Sequence, residues 1–168
     1  FGGAQDKETH AYSVAYSSDE IDEVVSYADK IIFNSISQLT AFKEQAYAQN
    51  IPVGLRLNPK TSNSSFIIAD PARPFSRLGE HDKDKIAAVL ADISGVMIHN
   101  NCENDSFEAF SDSLADIEAK FGDVLAQNGI RTPREVGPEV DFEPGMLYED
   151  VPMQIRRLLL IPEWYTNT

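Results

Sequence analysis

The sequence has very little cysteine and histidine: Cys102 is the single cysteine among 168 residues, and there are three histidines. An internal disulfide is therefore excluded, and a reducing compartment fits this composition. A zinc site is disfavoured as well. His99 and Cys102 supply only two ligands, and His10 and His81 are distant in the sequence.

Positive charge is also scarce, and the formal net charge at pH 7 is −13. Because Lys and Arg are the residues that hold phosphate backbones, this acidity argues against a nucleic-acid-binding protein. No apolar run approaches the roughly 18 residues that a membrane helix needs, and the start lacks the pattern of a signal peptide. These features predict a cytoplasmic protein with neither a membrane nor a nucleic acid as partner.

The first three-quarters of the chain alternates short β-rich runs with helical periodicity. We predict strands over residues 12–16, 31–33, 53–57 and 96–98, each followed by a helix. Ser18 is the predicted cap of the first helix and Ser35 or Ser37 of the second, and Asp105 with Glu108 forms a capping box for the long last one. This alternation indicates an α/β protein with a parallel sheet. Four such units fit either a small open sheet or about half of an eight-stranded (β/α) barrel.

After Gln127 the composition changes, since five of the nine prolines lie beyond it. No strand is predicted where the alternation would place a fifth, and only residues 153–161 have the pattern of a short helix. We expect a partial barrel domain over residues 1–127 and a divergent proline-rich tail over 128–168 with no assigned domain. The change fits either a shifted reading frame or an unrelated terminus. Because the chain opens with Phe1, we expect it to start inside a longer protein.

The densest group of reactive side chains is His99-Asn100-Asn101-Cys102-Glu103, directly after the fourth predicted strand. An imidazole, a thiol and a carboxylate at the carboxyl end of a buried strand fit a cofactor site, a metal site or a nucleophile. The alternative is that His99 is a hydrogen-bonded histidine at a strand end and that Cys102 only packs. A nucleophilic Cys102 is disfavoured, because His99 is not obviously placed to face it as a base.

Arg56 is the one charged residue in an otherwise apolar predicted strand. A buried charge must be paired or must point into a polar site, so Arg56 is either half of a structural ion pair or a ligand contact. The segment Ser76-Arg77-Leu78-Gly79 is a weaker candidate for anion binding at a helix start. No glycine-rich nucleotide loop and no nucleophile elbow are present.

Taken in order, five segments resemble the carboxynorspermidine decarboxylase family of alanine-racemase-like barrel enzymes. They are His10-Ala11-Tyr12-Ser13-Val14-Ala15-Tyr16, Ile32-Phe33-Asn34-Ser35, Gly54-Leu55-Arg56-Leu57-Asn58-Pro59, Ser76-Arg77-Leu78-Gly79 and His99-Asn100-Asn101-Cys102-Glu103. The resemblance covers roughly residues 7 to 127. It implies a partial (β/α)8 barrel of the alanine racemase and ornithine decarboxylase type, with about four βα units.

The resemblance also implies pyridoxal 5'-phosphate as cofactor and decarboxylation of carboxynorspermidine or carboxyspermidine to the polyamine. Arg56, His99 and Cys102 are the expected cofactor contacts: Arg56 lines the site, His99 stacks on the cofactor ring, and Cys102 stands where relatives carry a serine near the phosphate. Glu103 and Asn100 are the expected substrate contacts, with Glu103 receiving an ammonium group. His99 and Glu103 are the expected catalytic residues, and no metal is expected.

Two features of the family are not matched in the sequence. The lysine that forms a Schiff base with the cofactor is expected upstream of Phe1, and the glycine-rich phosphate loop after the next strand is replaced by Asn128-Gly129-Ile130-Arg131-Thr132-Pro133. We therefore expect this chain to be inactive alone, and the full-length enzyme to be a homodimer. The alternative hypothesis is a non-catalytic α/β module that binds a polyamine or another small cationic ligand.

Overall fold

The computed structural model describes residues 8–62, 67–68, 70–99, 107–127, 129–130 and 163–166. Its strands are β1 (His10–Ser13), β2 (Lys30–Phe33), β3 (Val53–Leu57), β4 (Gly95–Ile98) and β5 (Glu163–Thr166). Its α-helices are α1 (Ser18–Val24), α2 (Ile36–Ala48), α3 (Lys83–Val89) and α4 (Phe107–Gln127), and a short 3-10 turn, Leu90–Asp92, follows α3.

The first four strands form one parallel sheet in the order of the chain, β1-β2-β3-β4. Each is followed by a helix, and consecutive helices contact one another, so the helices form a single layer. A doubly wound sheet instead carries helices on both faces. The sequential order with one helix layer is the arrangement of an arc of a (β/α) barrel, which confirms the α/β partial-barrel prediction.

The central strand β3 is buried along its whole length. Side chains alternate across a strand, and Val53, Leu55 and Leu57 all belong to the apolar core against the helices. The same alternation places Arg56 on the opposite face of the sheet. The charge in this strand is therefore directed away from the helix layer, toward the side that becomes the interior of a complete barrel.

The helix starts follow from short polar side chains. Ser17, not the predicted Ser18, caps α1: its hydroxyl accepts from the backbone N–H of Glu20 at 3.3 Å, and the Glu20 carboxylate accepts from the Ser17 N–H at 2.7 Å. Ser35 caps α2, as one of the two predicted alternatives. The difference at α1 arises because the reciprocal capping box needs a Glu three residues after the cap, and only Ser17 has one. The predicted capping box at Asp105 lies outside the described residues.

Strand β1 ends earlier than predicted. It covers His10–Ser13 rather than residues 12–16, paired in register with β2 from His10 opposite Lys30 to Ser13 opposite Phe33. The Ser13 hydroxyl donates to the carbonyl of Ala15 at 2.9 Å and so turns the chain out of the sheet. This local side-chain bond competes with strand pairing. The residues after Ser13 therefore leave the sheet and lead to the cap of α1.

Residues 163–166 form a strand that the sequence did not predict. Strand β5 pairs antiparallel with β4, with Trp164 opposite Met97. Trp, Tyr and Thr favour strands, but a segment of four residues carries little periodic signal. Its strand character depends on the pairing with β4, which is a tertiary contact that local sequence does not encode.

The long connection between β3 and α3 is tied down at both of its described ends. Near its start, the ammonium of Lys120 in α4 donates to the carbonyl of Pro59 and to the hydroxyl of Thr61, both at 2.6 Å. Asn58, only 2% exposed, donates from its side-chain amide to the carbonyls of Pro71 at 2.8 Å and Leu78 at 2.6 Å. The described parts of this long connection are therefore fixed to α4 and to the end of β3.

The connection returns to β3 at Gly79 and Glu80. The Glu80 N–H donates to the Arg56 carbonyl at 2.9 Å, and the Asn58 N–H donates to the Glu80 carbonyl at 2.7 Å, so residue 80 extends the sheet by one bridge. Gly79 has a φ of +75°, and a Cβ there would lie 3.0 Å from the carbonyl carbon of Leu57. Both the backbone angle and the close backbone approach require glycine.

We expect Gly79→Ala to lower the free energy of unfolding by at least about 1–2 kcal/mol, because alanine is strained at positive φ and meets backbone that does not yield. Urea unfolding followed by circular dichroism measures this change. The matched control is Gly122→Ala in α4, whose Cβ would meet only the flexible Glu118 side chain. There the gain in helix propensity, roughly 1 kcal/mol, offsets the crowding. Equal stability of Gly79→Ala and the unchanged chain would contradict this account of the turn.

Candidate functional site

Polar side chains gather where the first four strands end. Tyr12 lies in β1, Asn34 follows β2, Arg56 is the fourth residue of β3, and His99 follows β4. The carboxyl ends of parallel strands meet at one edge of a sheet, which is where (β/α) barrels place their active sites. Hydrogen bonds connect all four residues, so this edge is the candidate site.

Arg56 is the centre of this group and is only 5% exposed. Its Nη1 donates to the Tyr12 hydroxyl, and its Nη2 donates to the His99 carbonyl oxygen at 2.9 Å. The guanidinium carbon also lies 5.4 Å from the centroid of the Tyr12 ring, within cation–π range. Its Nε is buried and has no hydrogen-bond partner among the residues that the structure describes.

These contacts bear on the interpretation of Arg56 as half of a structural ion pair; its role as a ligand contact stays a prediction. Among the described residues, no carboxylate lies within ion-pair distance of the guanidinium; the ion pairs found there all involve other side chains. The acceptors of Arg56 are neutral oxygens. The described residues therefore do not form the structural ion pair with Arg56. No carboxylate among them neutralises the positive charge of the guanidinium.

Asn34, 4% exposed, joins the strand ends to the 77–79 turn. Its side-chain oxygen accepts from the Tyr12 hydroxyl at 3.0 Å and from the Gly79 N–H at 3.1 Å. Its amide nitrogen donates to the Arg77 carbonyl at 2.8 Å. The backbone N–H of Asn34 in turn donates to the Gln38 side chain at 2.8 Å. Every polar atom of this buried side chain is therefore used in fixing the turn.

The turn does not provide the predicted anion site at a helix start. Helix α3 begins only at Lys83, and its first N–H groups are occupied by the carboxylate of the cap Asp82. The Leu78 N–H donates to the Ser76 hydroxyl at 3.3 Å, and the Gly79 N–H is taken by Asn34. The Leu78 amide is therefore used within the turn and the Gly79 amide is held by the residue after β2, so neither faces an anion.

The imidazole of His99 is partly buried beside the guanidinium. Burial, and secondly the positive charge of Arg56, hold the pKa of His99 below its usual value. Both effects disfavour the protonated ring. His99 is therefore neutral at pH 7.

The structure brings together two of the five predicted site residues, Arg56 and His99. Asn100, Cys102 and Glu103 lie outside the described residues, so their roles stay predictions. Sequence reasoning quoted Tyr12 and Asn34 within motifs but gave them no role. One signal was available: Asn34 is a polar residue directly after a buried strand, at the edge where ligands bind.

Comparison with known proteins finds relatives that match about three-quarters of the chain. No protein-family model matches the chain. A carboxynorspermidine/carboxyspermidine decarboxylase from Herminiimonas arsenicoxydans is 57% identical over 125 residues, which are 74% of this chain and 33% of that protein. Over these residues the chain is similar to the carboxynorspermidine decarboxylase family. The resemblance carried by the sequence motifs is thereby confirmed.

Two further decarboxylases match a similar share of the chain. The Campylobacter jejuni carboxynorspermidine/carboxyspermidine decarboxylase is 37% identical over 73% of the chain and 31% of its own length. A carboxyaminopropylagmatine decarboxylase from Synechocystis is 32% identical over 72% of the chain and 31% of its own length. The chain thus spans about a third of the length of these relatives.

Solved structures agree with the fold. The crystal structure of Campylobacter jejuni carboxynorspermidine decarboxylase complexed with norspermidine superposes with a TM-score of 0.57 at 36% identity, covering 73% of this chain and 30% of that one. Diaminopimelate decarboxylase from Helicobacter pylori, complexed with L-lysine, gives a TM-score of 0.60 at 14% identity, covering 89% of this chain and 42% of that one. At that identity the second likeness concerns the fold alone.

The described residues contain neither a candidate metal centre nor a membrane-spanning helix. No group of three or more His, Cys, Asp or Glu side chains in that part of the chain is arranged to hold a metal ion. None of the helices described there is long and apolar enough to cross a membrane.

We expect Arg56→Met to raise the pKa of His99 while leaving it below the usual value, because burial is the larger cause of the shift. Titration of the imidazole by NMR measures it. The matched control is Arg77→Met, which also removes one positive charge but from an exposed side chain. An unchanged His99 pKa in Arg56→Met would show that the guanidinium does not act on this ring.

The lowered pKa also predicts the direction of a pH effect on stability. Below the usual pKa of histidine the unfolded chain binds a proton that folded His99 takes up only at lower pH. The free energy of unfolding therefore falls as the pH drops from the usual histidine pKa toward the lowered one. Urea unfolding at several pH values checks this, and His99→Gln is expected to remove this part of the pH dependence.

Proposed function

We propose that the chain forms the cofactor-facing part of a pyridoxal-phosphate-dependent decarboxylase that acts on carboxynorspermidine or carboxyspermidine. The reaction breaks the bond to the carboxylate carbon, releases CO2 and puts a proton in its place, giving norspermidine or spermidine. The observation that carries the proposal is the buried Arg56 guanidinium, which has neutral acceptors and lies beside His99 at the carboxyl ends of the strands.

The donor set fits an anionic, aromatic cofactor. The Nε of Arg56 is buried without a hydrogen-bond partner, so one N–H of a charged group has an unmet demand for an acceptor. A cation held by neutral oxygens retains its attraction for a phosphate or a phenolate oxygen. The lowered pKa of His99 keeps its ring neutral, which suits face-to-face contact with an electron-poor ring next to a guanidinium.

When bound, pyridoxal phosphate supplies an electron sink for the pair of electrons left by the departing CO2. The chain's own residues bind and orient. Arg56 and His99 would hold the cofactor at the strand ends, and the resemblance assigns Cys102 to its phosphate. Glu103 and Asn100 hold the amino groups of the substrate, with the Glu103 carboxylate pairing with an ammonium.

The acidity of the chain supports a cationic substrate. A net charge of −13 attracts polyamines over long range and raises their local concentration. The relatives' names differ in the substrate, and the 57% identical protein is named for carboxynorspermidine and carboxyspermidine. We therefore assign these two carboxypolyamines as substrates, ahead of the agmatine derivative.

A non-catalytic polyamine-binding module is the second candidate, and the positions of the lysines favour it. Within the described part of the chain no lysine lies at the carboxyl end of a strand: Lys30 begins β2 at the opposite end, and exposed Lys60 follows β3 by three residues. A covalent link to the cofactor would need a lysine beside Arg56 and His99. Binding without turnover is what these residues alone support.

The test combines cofactor binding with product release. We expect the 168-residue chain to bind pyridoxal phosphate in equilibrium dialysis, with Arg56→Met weakening the affinity at least about tenfold, as loss of a hydrogen bond to a charged group predicts. Arg77→Met, with its exposed side chain, is the matched control. We expect no CO2 release from carboxynorspermidine by this chain.

Three results would decide against the proposal or between its two forms. Equal affinity of the unchanged chain and Arg56→Met removes Arg56 from the site. Sustained CO2 release by this chain would mean that a lysine within it serves the cofactor and that the assignment of residues is wrong. Calorimetric binding of norspermidine with no binding of pyridoxal phosphate would favour the non-catalytic module.

A further inference from the structure

The direction of each hydrogen bond in the Arg56 group can be worked out from its ends. The Gly79 N–H can only donate and the Arg77 carbonyl can only accept, so the amide of Asn34 has a single orientation with its oxygen toward Gly79. That oxygen also faces the Tyr12 hydroxyl at 3.0 Å, so the hydroxyl must donate its one proton there. The lone pairs of Tyr12 are then directed at Arg56.

Tyr12 consequently holds the guanidinium in two ways. Its oxygen accepts from Nη1, and its ring lies beneath the guanidinium with the guanidinium carbon 5.4 Å from the centroid. The His99 carbonyl accepts from Nη2 on the other side at 2.9 Å. A planar guanidinium bound through both terminal nitrogens has a fixed plane, and the direction of its Nε–H is fixed with it.

The choice of a phenol at this position has an electrostatic consequence. A carboxylate would hold Arg56 as firmly but would neutralise its charge. A hydroxyl whose own proton is committed to Asn34 offers only lone pairs, so it orients the guanidinium and leaves the full positive charge at the rim of a strongly acidic chain.

We propose that Tyr12 is a positioning residue for Arg56, oriented by Asn34, which fixes the plane of the guanidinium toward the cofactor without reducing its charge. The proposal rests on the proposed function for the identity of the ligand. The orientation of Arg56 by Tyr12 is a property of this chain without any ligand, so the two are testable apart.

The first measurement is NMR of the Arg56 guanidinium in the ligand-free chain. Hydrogen bonds at both terminal nitrogens slow rotation about the Cζ–Nη bonds, so we expect separate signals for the Nη protons. Tyr12→Phe keeps the ring and removes the oxygen, and we expect the Nη1 proton signals to merge into an average while the Nη2 signals, still held by the His99 carbonyl, stay separate. The matched control, Tyr16→Phe, removes a hydroxyl from a tyrosine that packs edge-on against Phe33, with ring centroids 6.2 Å apart, and the signals should stay separate.

The second measurement is the affinity for pyridoxal phosphate. We expect Tyr12→Phe to weaken binding about tenfold, the loss that an unoriented charged donor predicts, and Tyr16→Phe to leave it unchanged. Circular dichroism confirms that each variant is folded.

Separate Nη1 signals in folded Tyr12→Phe, or an affinity equal to that of the unchanged chain, would overturn the proposal. Should Tyr12→Phe fail to fold, the unchanged chain still decides, because merged Arg56 signals there mean that nothing fixes the guanidinium. If the unchanged chain binds no pyridoxal phosphate, the cofactor assignment fails, while the guanidinium signals still show whether Tyr12 positions Arg56.

Discussion

The burial of one positive charge sets the conditions for the rest of this site. A guanidinium that is 5% exposed costs several kcal/mol unless its N–H groups find acceptors. Here the acceptors are an oxygen from β1 and a carbonyl that follows β4, on either side of the strand that carries the charge. Solvating Arg56 therefore requires three strand ends to stay aligned, and the packing of the sheet and the chemistry of the site depend on each other.

Apart from the Nε of Arg56, the buried side-chain polar atoms of this network have hydrogen-bond partners in the described part of the chain. Hydrogen bonds of Tyr12 and Asn34 link the guanidinium to the 77–79 turn. Asn58 likewise links the end of β3 to the connection that leads to this turn. Side chains held in this way lose little conformational entropy when a ligand arrives, so the site is organised before binding. Among the described residues, the buried Nε of Arg56 has no acceptor, and it marks where a ligand would contribute.

Sequence was sufficient for the parts of the fold that repeat. Short β-rich runs separated by stretches of helical periodicity predicted the four parallel strands, and the charge inside an apolar strand singled out Arg56 as a candidate site residue, a role that stays a prediction. It was insufficient where the outcome depended on pairing between distant segments. Nothing in the local sequence distinguishes Tyr12 and Asn34 as site residues. They come together only through the register of β1 and β2. Similarly, the choice between Ser17 and Ser18 depended on one reciprocal bond to Glu20, and β5 on its neighbour β4.

The antiparallel pairing of Glu163–Thr166 with β4 has a consequence for how this sheet can grow. A strand has two hydrogen-bonding edges, and β3 and β5 occupy both edges of β4. A complete (β/α)8 barrel places a parallel fifth strand on that same outer edge. The two arrangements compete for one set of backbone donors and acceptors, so closing the barrel past β4 requires residues 163–166 to unpair first.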